Sequence, residues 1–128
     1  MRQSFTIPGK LPGMNEIIGS MSQKIYETGK RRVYQYTRDK KHFTGKVMAC
    51  IYQKRMKWVG RANVSVLFRE KRIARDPDNI IAGIKFILDG MVAAGILDND
   101  TKKEIAGLSF RFEDGAEKNE IQVLIEGG

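Results

Sequence analysis

Apolar and polar residues alternate along Ala62–Arg69, with Val64, Val66 and Phe68 on one side, and the same period of two returns at Leu108–Phe112 and Ile121–Ile125. Such alternation marks strands with one buried face. Ser4–Ile7 adds a first strand, closed by Pro8-Gly9, and Lys10–Asn15 is turn chemistry. The segment Glu113–Glu120, containing Gly115, predicts a loop that folds the last two strands into an antiparallel hairpin.

Helical spacing runs from about Asp39 to Met56, where Phe43, Val47, Cys50, Ile51 and Met56 share one side and Lys40, Lys41, Lys46, Lys54 and Arg55 fill the rest. Ile80–Ala94 predicts a second helix, capped by Asp78 or Asn79 and stopped by Gly95. It is apolar on almost every side, as expected of a helix buried in the core or against a partner chain. Gly83, Gly90 and Ala93 leave room there for another backbone to come close. Residues 16–36 lack a clean period and read as a basic loop around Lys30-Arg31-Arg32, and Trp58 reads as core. The order β-loop-α-β-α-β-β, with two main helices, predicts one α+β domain over residues 1–128 on a small mixed, partly antiparallel sheet.

A chain of 128 residues, 41% apolar and 30% charged, can bury a core without staples. It contains no apolar run of the ~18 residues that a membrane span needs, and its start is strand-like rather than leader-like. One cysteine, Cys50, and one histidine, His42, exclude an intramolecular disulfide, a zinc cluster and a Cys–His catalytic pair within the chain. A reducing cytoplasm is the expected compartment.

Charge is unevenly placed. Residues 1–75 hold 18 Lys and Arg against 4 acids, a balance of +14, whereas residues 76–128 hold 5 against 11, a balance of −6. A basic half suits a phosphate backbone, and the bland alternative is a solvated basic face with no specific partner.

The acids of the second half gather at the two ends of the apolar helix, as Asp76-Pro77-Asp78-Asn79 and Asp98-Asn99-Asp100. Pro77 biases Asp76 toward extended backbone, where residues i and i+2 point the same way, so Asp76 and Asp78 are expected to converge. Hard oxygen ligands of this kind suit Mg²⁺, which takes one or two carboxylates together with water and substrate phosphate. Lys85, seven residues after Asp78, falls on the same helical stripe and would place an ammonium near that ion. Singly, each has a plainer explanation: Asp78 as a cap, Lys85 with Asp89 as an i,i+4 pair, and Asp98–Asp100 as a turn. Ile80–Ala94 would span roughly 21 Å at ~1.5 Å per residue, so Asp100 reaches Asp76 only if the chain doubles back tightly or a partner subunit supplies it. The return within one chain is the preferred expectation.

Arg75-Asp76-Pro77-Asp78-Asn79, the run Lys85–Gly90, Ala94-Gly95-Ile96 and Asp98-Asn99-Asp100 together resemble the RusA-like Holliday junction resolvases, with the close match over about residues 72–103. Phe5-Thr6-Ile7-Pro8, Pro12 and Asn15 form a weaker second match. The resemblance implies a homodimeric, Mg²⁺-dependent (or Mn²⁺-dependent) endodeoxyribonuclease of the kind often carried by prophages. Such an enzyme nicks four-way DNA junctions symmetrically during recombination and repair. It places the metal-binding aspartates on Asp76, Asp78 and Asp100, with Asp98 competing for the third place. The catalytic lysine falls on Lys85, given one extra helical turn relative to the family's best-known form. Lys30, Arg31, Arg32, Lys71, Arg72 and Arg75 would then hold the DNA arms. The alternatives are a non-catalytic basic DNA-binding protein with a structural acidic cluster, or a nuclease for other branched or single-stranded DNA.

Overall fold

The computed structural model describes residues 1–26, 32–72 and 75–127, with the side chains of residues 24–26 and 32–33 left aside. The elements are β1 (Arg2–Pro8), α1 (Met14–Ser22), β2 (Lys24–Tyr26), β3 (Arg32–Tyr34), α2 (Gln35–Gln53), β4 (Ala62–Glu70), α3 (Pro77–Ile81), α4 (Ile84–Ala93), β5 (Ile105–Asp114) and β6 (Glu120–Gly127). The α+β expectation holds. The helical content exceeds the expected two helices, because α1 and the ribbon β2–β3 occupy much of the stretch read as loop. Helix α2 also begins at Gln35 rather than near Asp39, which brings Tyr36 onto its first turn.

Four strands form a mixed sheet in the order β1-β6-β4-β5. The expected hairpin between the last two strands is absent. Strand β6 inserts between β1 and β4, antiparallel to both, and β5 lies parallel to β4 on the far side. The burial of each strand explains the order. Both β4 and β6 bury every second residue, as central strands do, whereas none of the ten residues of β5 is buried. A parallel neighbour also needs a crossover, and α3 with α4 supplies it.

Register places the side chains of the sheet in rows. Ile7, Ile121, Phe68 and Phe112 form one row, Phe5, Val123, Val66 and Phe110 the next, and Gln3, Ile125, Val64 and Leu108 the third. These rows face the helices, and their members on β4 and β6 are buried. Ser65 and Ser109 lie across from each other on the opposite face, with Oγ atoms 3.4 Å apart. Val47 and Ile51 from α2, with Phe86, Ile87 and Met91 from α4, close the core above the apolar rows.

Helix α4 ends in a Schellman motif. The N–H of Gly95 bonds to the carbonyl of Val92 (3.0 Å), that of Ile96 to Met91 (3.1 Å), and Gly95 takes the left-handed conformation (φ +83°). Ile96 and Leu97 then dive back into the core. Trp58 is not core: it is 56% exposed, and its indole N–H donates to Asp98 Oδ1 at 3.0 Å. No helix among the described residues is long and apolar enough to cross a membrane.

The glycines of the crossover segment mark contacts within the chain: Gly83 lies against Leu11, and Gly90 against Val47 and the Thr44 carbonyl. A Cβ at position 90 would stand 2.6 Å from the Val47 Cβ, and neither atom sits on a flexible end. Gly90→Ala should therefore lose stability, because overpacking of ~1–3 kcal/mol outweighs the ~1 kcal/mol that alanine gains over glycine in a helix. Urea unfolding should show a net loss of up to about 2 kcal/mol. Adding Val47→Ala should cost less in the Gly90→Ala background than alone; full additivity would mean that the two sites do not touch.

Candidate functional site

The acidic motif follows the C-terminal end of β4, where Glu70 is buried. Arg75 turns back onto it: Nε donates to Glu70 Oε1 at 3.2 Å and Nη2 pairs with Oε2. Nη1 also lies 3.9 Å from Glu16 Oε2, and the Glu16 carboxylate accepts the Gly13 N–H at the start of α1. With its side chain only 15% exposed, Arg75 is a tie between β4 and α1. It was expected to hold the DNA arms, and here its guanidinium is engaged by two carboxylates.

Asp76 has extended backbone (φ −72°, ψ 146°) and serves as N-cap of α3, with Pro77 in the first turn. The cap thus lies two or three residues before the expected Asp78 or Asn79. Extension ends at Asp76, since Pro77 and Asp78 are already helical, so alternation does not force the two carboxylates to one side. Both are exposed at a helix start, where free N–H groups favour negative charge. Asn79 instead accepts the Asn15 N–H (2.9 Å) and packs where a Cβ on Gly13 would sit, joining the starts of α1 and α3.

The expected single helix over Ile80–Ala94 is broken. Between α3 and α4 the bonds run i to i+3, from Gly83 to Ile80 (3.1 Å), Lys85 to Ala82 (3.3 Å) and Phe86 to Gly83 (3.1 Å). Such a turn advances ~120° per residue instead of ~100°, so Lys85 is rotated off the stripe that carries Asp78. The exposed Lys85 ammonium instead donates to the Tyr36 hydroxyl. That bond is the largest cause lifting its pKa above the usual lysine value; burial opposes it next in weight, and the electrostatic pull of Tyr36, Asp89 and Asp100 adds less. Asp89 Oδ2 also lies 3.8 Å from Lys40 Nζ on α2. Tyr36 and Lys40 escaped sequence analysis as parts of this cluster because the α2 boundary was set too late for one and the other read as a solvated lysine.

The chain does double back after Gly95. Asp100 lines a groove with Leu88, Ile105 and Leu108, and its charge acts on Lys85, 15 positions earlier. The return is incomplete. Asp98 sits beside Trp58, before the first residue of β4, and Asp76 lies beyond the last. The nine-residue strand separates those ends by roughly 26 Å at ~3.3 Å per residue. Among the described residues no three His, Cys, Asp or Glu side chains stand close enough to hold one ion. Asp76, Asp78 and Asp100 are thus not gathered into a three-carboxylate group among the described residues. The donors do suit Mg²⁺ held by one or two carboxylates and completed by phosphate and water.

Lys71 and Arg72 border a cleft of about 440 Å³ with Lys10, Glu70, Arg75 and Asn119. Asn119 shapes it, accepting the Lys71 N–H on Oδ1 and the Gly9 N–H on its carbonyl, both at 2.8 Å. Lys10 and Asn119 were missed, since the strand pairing that brings them to Lys71 is long-range. Lys30 and Arg31 lie outside the described residues, as does the side chain of Arg32. Burial pushes the half-buried Cys50 thiol above its ordinary pKa, against the opposing charge of Lys46.

Comparison with protein-family models finds no match to this chain, and comparison with curated proteins likewise finds none.

Arg75→Ala should destabilise the protein by roughly 3 kcal/mol in urea unfolding, because Glu70 would be left buried without its partner. Glu70→Gln in the same chain should recover part of the loss. Lys71→Ala, at an exposed position, should stay within about 0.5 kcal/mol of wild type. An Arg75→Ala protein of unchanged stability would return that guanidinium to the set of free cations.

Proposed function

We propose that this chain is a divalent-metal-dependent endodeoxyribonuclease of the RusA-like kind, acting on four-way DNA junctions as a homodimer. The electrostatic pull of Asp100 on Lys85 carries the reading: the junction-resolvase resemblance requires an acid after the crossover helix to work with a lysine on it. Lys85 stays protonated at neutral pH, and Tyr36 steadies an ammonium that reaches solvent. An ammonium so placed can neutralise charge building on a phosphate.

Asp76, Asp78 and Asp100 are the residues that would hold the ion, with the set completed by substrate phosphate or by a second subunit. When bound, the ion would lower the pKa of a water and polarise the phosphodiester. The cleft of Lys10, Lys71 and Arg72 offers phosphate contacts that position DNA without reading its sequence. Cys50, half-buried with a raised pKa, does not suit a nucleophile, and direct attack by water is the expected chemistry.

One observation favours a second reading, a DNA-binding protein without catalysis: the three aspartates are not gathered into one group among the described residues. Synthetic junction, flap and duplex DNA separate the two. With Mg²⁺ or Mn²⁺ the wild type should cut the junction in preference to the others, and Asp76→Asn and Asp78→Asn should fall to background. Lys85→Ala should lose on the order of 10²–10³-fold in rate, as when one charge-stabilising donor is removed. All three variants should still bind the junction in Ca²⁺, with affinity falling steeply as salt rises. A wild type that binds but never cuts any of these substrates would establish the second reading, and efficient cutting of flap alone would change the substrate.

A further inference from the structure

Among the described residues, the aromatic side chains left most open to water are Tyr52, 57% exposed, and Trp58, 56% exposed. Both lie in the segment that leads from the last turn of α2 into β4. Four exposed cations, Lys54, Arg55, Lys57 and Arg61, are interleaved with them. None of the four forms an ion pair among the described residues. The acid that touches this segment, Asp98, accepts the indole N–H instead. Lys102 and Lys103 add positive charge at the same end of the sheet, where the Glu104 carbonyl accepts the Ala62 N–H at 2.9 Å.

The backbone that carries Trp58 is pinned. Gln3 on β1 holds Lys57 from both sides: the Lys57 N–H donates to its Oε1 at 2.7 Å, and its Nε2 donates to the Lys57 carbonyl at 2.9 Å. The Val59 N–H donates to the Ile96 carbonyl at 2.8 Å. Arg55 takes the left-handed region (φ +50°), which residues other than glycine seldom adopt. A Cβ on Gly60 would stand 3.2 Å from the indole Cη2, so the six-membered ring lies against that glycine. The indole is thus fixed at its N–H by Asp98 and backed by Gly60, with more than half of the side chain in water. Packing alone does not call for this, since a tryptophan gains most from burial and the core beneath is already closed by Val59 and Ile51.

We infer that this segment binds an unpaired stretch of a nucleic-acid strand, with a base stacked on Trp58 and the adjoining phosphates on Lys54, Arg55, Lys57 and Arg61. The occupant follows from the chemistry of the surface. Flat rings set among cations complement a ligand in which flat bases alternate with anionic groups. A protein partner or a lipid surface would call for exposed aliphatic side chains, but here Val59 is buried and Met56 half-buried. A duplex offers phosphates to the cations but keeps its bases stacked on one another, away from an indole. The segment precedes β4, whereas the cleft of Lys10, Lys71 and Arg72 follows it, roughly 26 Å away at ~3.3 Å per residue. The inference goes beyond the proposed function, because it needs neither metal nor cleavage to be true.

Trp58 is the chain's one tryptophan, so its fluorescence reports on this segment alone. Titrating the full chain with oligo(dT) in EDTA should quench that emission to saturation, and the binding should weaken as salt rises. An abasic oligonucleotide of the same length keeps the phosphates without the bases and should quench little. Trp58→Ala should bind labelled oligo(dT) about 5- to 100-fold more weakly by fluorescence anisotropy, as expected when one stacking ring is lost. Trp58→Phe, which keeps a flat ring, should recover most of the affinity, and far-UV circular dichroism checks that both variants are folded. No quenching by oligo(dT), equal quenching by the abasic strand, or full affinity in Trp58→Ala would each overturn the inference. Asp76→Asn should be quenched as the wild type is. A chain that cuts no DNA can therefore pass this test, and a chain that cuts junctions can fail it.

Discussion

Parallel pairing of β4 with β5 obliges the chain to travel from one end of the sheet to the other between Glu70 and Ile105, and every candidate functional residue except the basic loop lies on or beside that journey. It starts with Arg75 tied to the buried Glu70, passes through α3 and α4, and finishes with Ile96 and Leu97 returned to the core. Its packing leaves little slack. Gly90 lets α4 settle on Val47 of α2, and Gly83 lets the turn between the two helical segments settle on Leu11. Because α2 is thereby brought against α4, Tyr36 and Lys40 come to lie beside Lys85 and Asp89. The polar cluster follows from the apolar contact beneath it.

Charges at the end of the sheet serve two ends. Glu70 and Glu120 are buried acids, and each is matched by an arginine, Arg75 for the first and Arg69 for the second. An unpaired buried carboxylate would cost several kcal/mol, so these arginines hold the fold together. The exposed cations Lys10, Lys71 and Arg72 remain around the same cleft. Of three neighbouring basic residues in one short segment, sequence alone could not say which was structural. The distinction rests on Glu70, buried at the last position of β4 opposite Asp114 of β5.

Local patterns foretold local structure well. Alternation located β4, β5 and β6, and Gly95 marked a helix end that proved to be a Schellman motif. The failures were non-local. Nothing in Leu108–Phe112 or Ile121–Ile125 states which strand each will pair with, and the short loop between them invited a hairpin. The decisive difference is quantitative: Ile121, Val123 and Ile125 sink into the core, whereas Leu108 and Phe112 stay half in water. The break between α3 and α4 was hidden because Ala82 and Gly83 sit in a run otherwise ideal for one helix, and only packing against Leu11 shows why the backbone tightens there.

That break bears directly on how the candidate site can work. In one straight helix, Lys85 would look back toward Asp78, and a single ion could see both. The tightened turn instead sends Lys85 toward Tyr36 and Asp100, leaving Asp76 and Asp78 at the start of α3. Each chain therefore carries two partial constellations, a pair of carboxylates near a basic cleft and an ammonium beside a returning carboxylate. Neither has enough oxygen ligands to cage a small, strongly hydrated cation by itself. On the proposed function, a phosphate-rich substrate would supply the missing oxygens. Metal affinity would then rise when substrate is present, because ion and phosphate would complete each other's coordination.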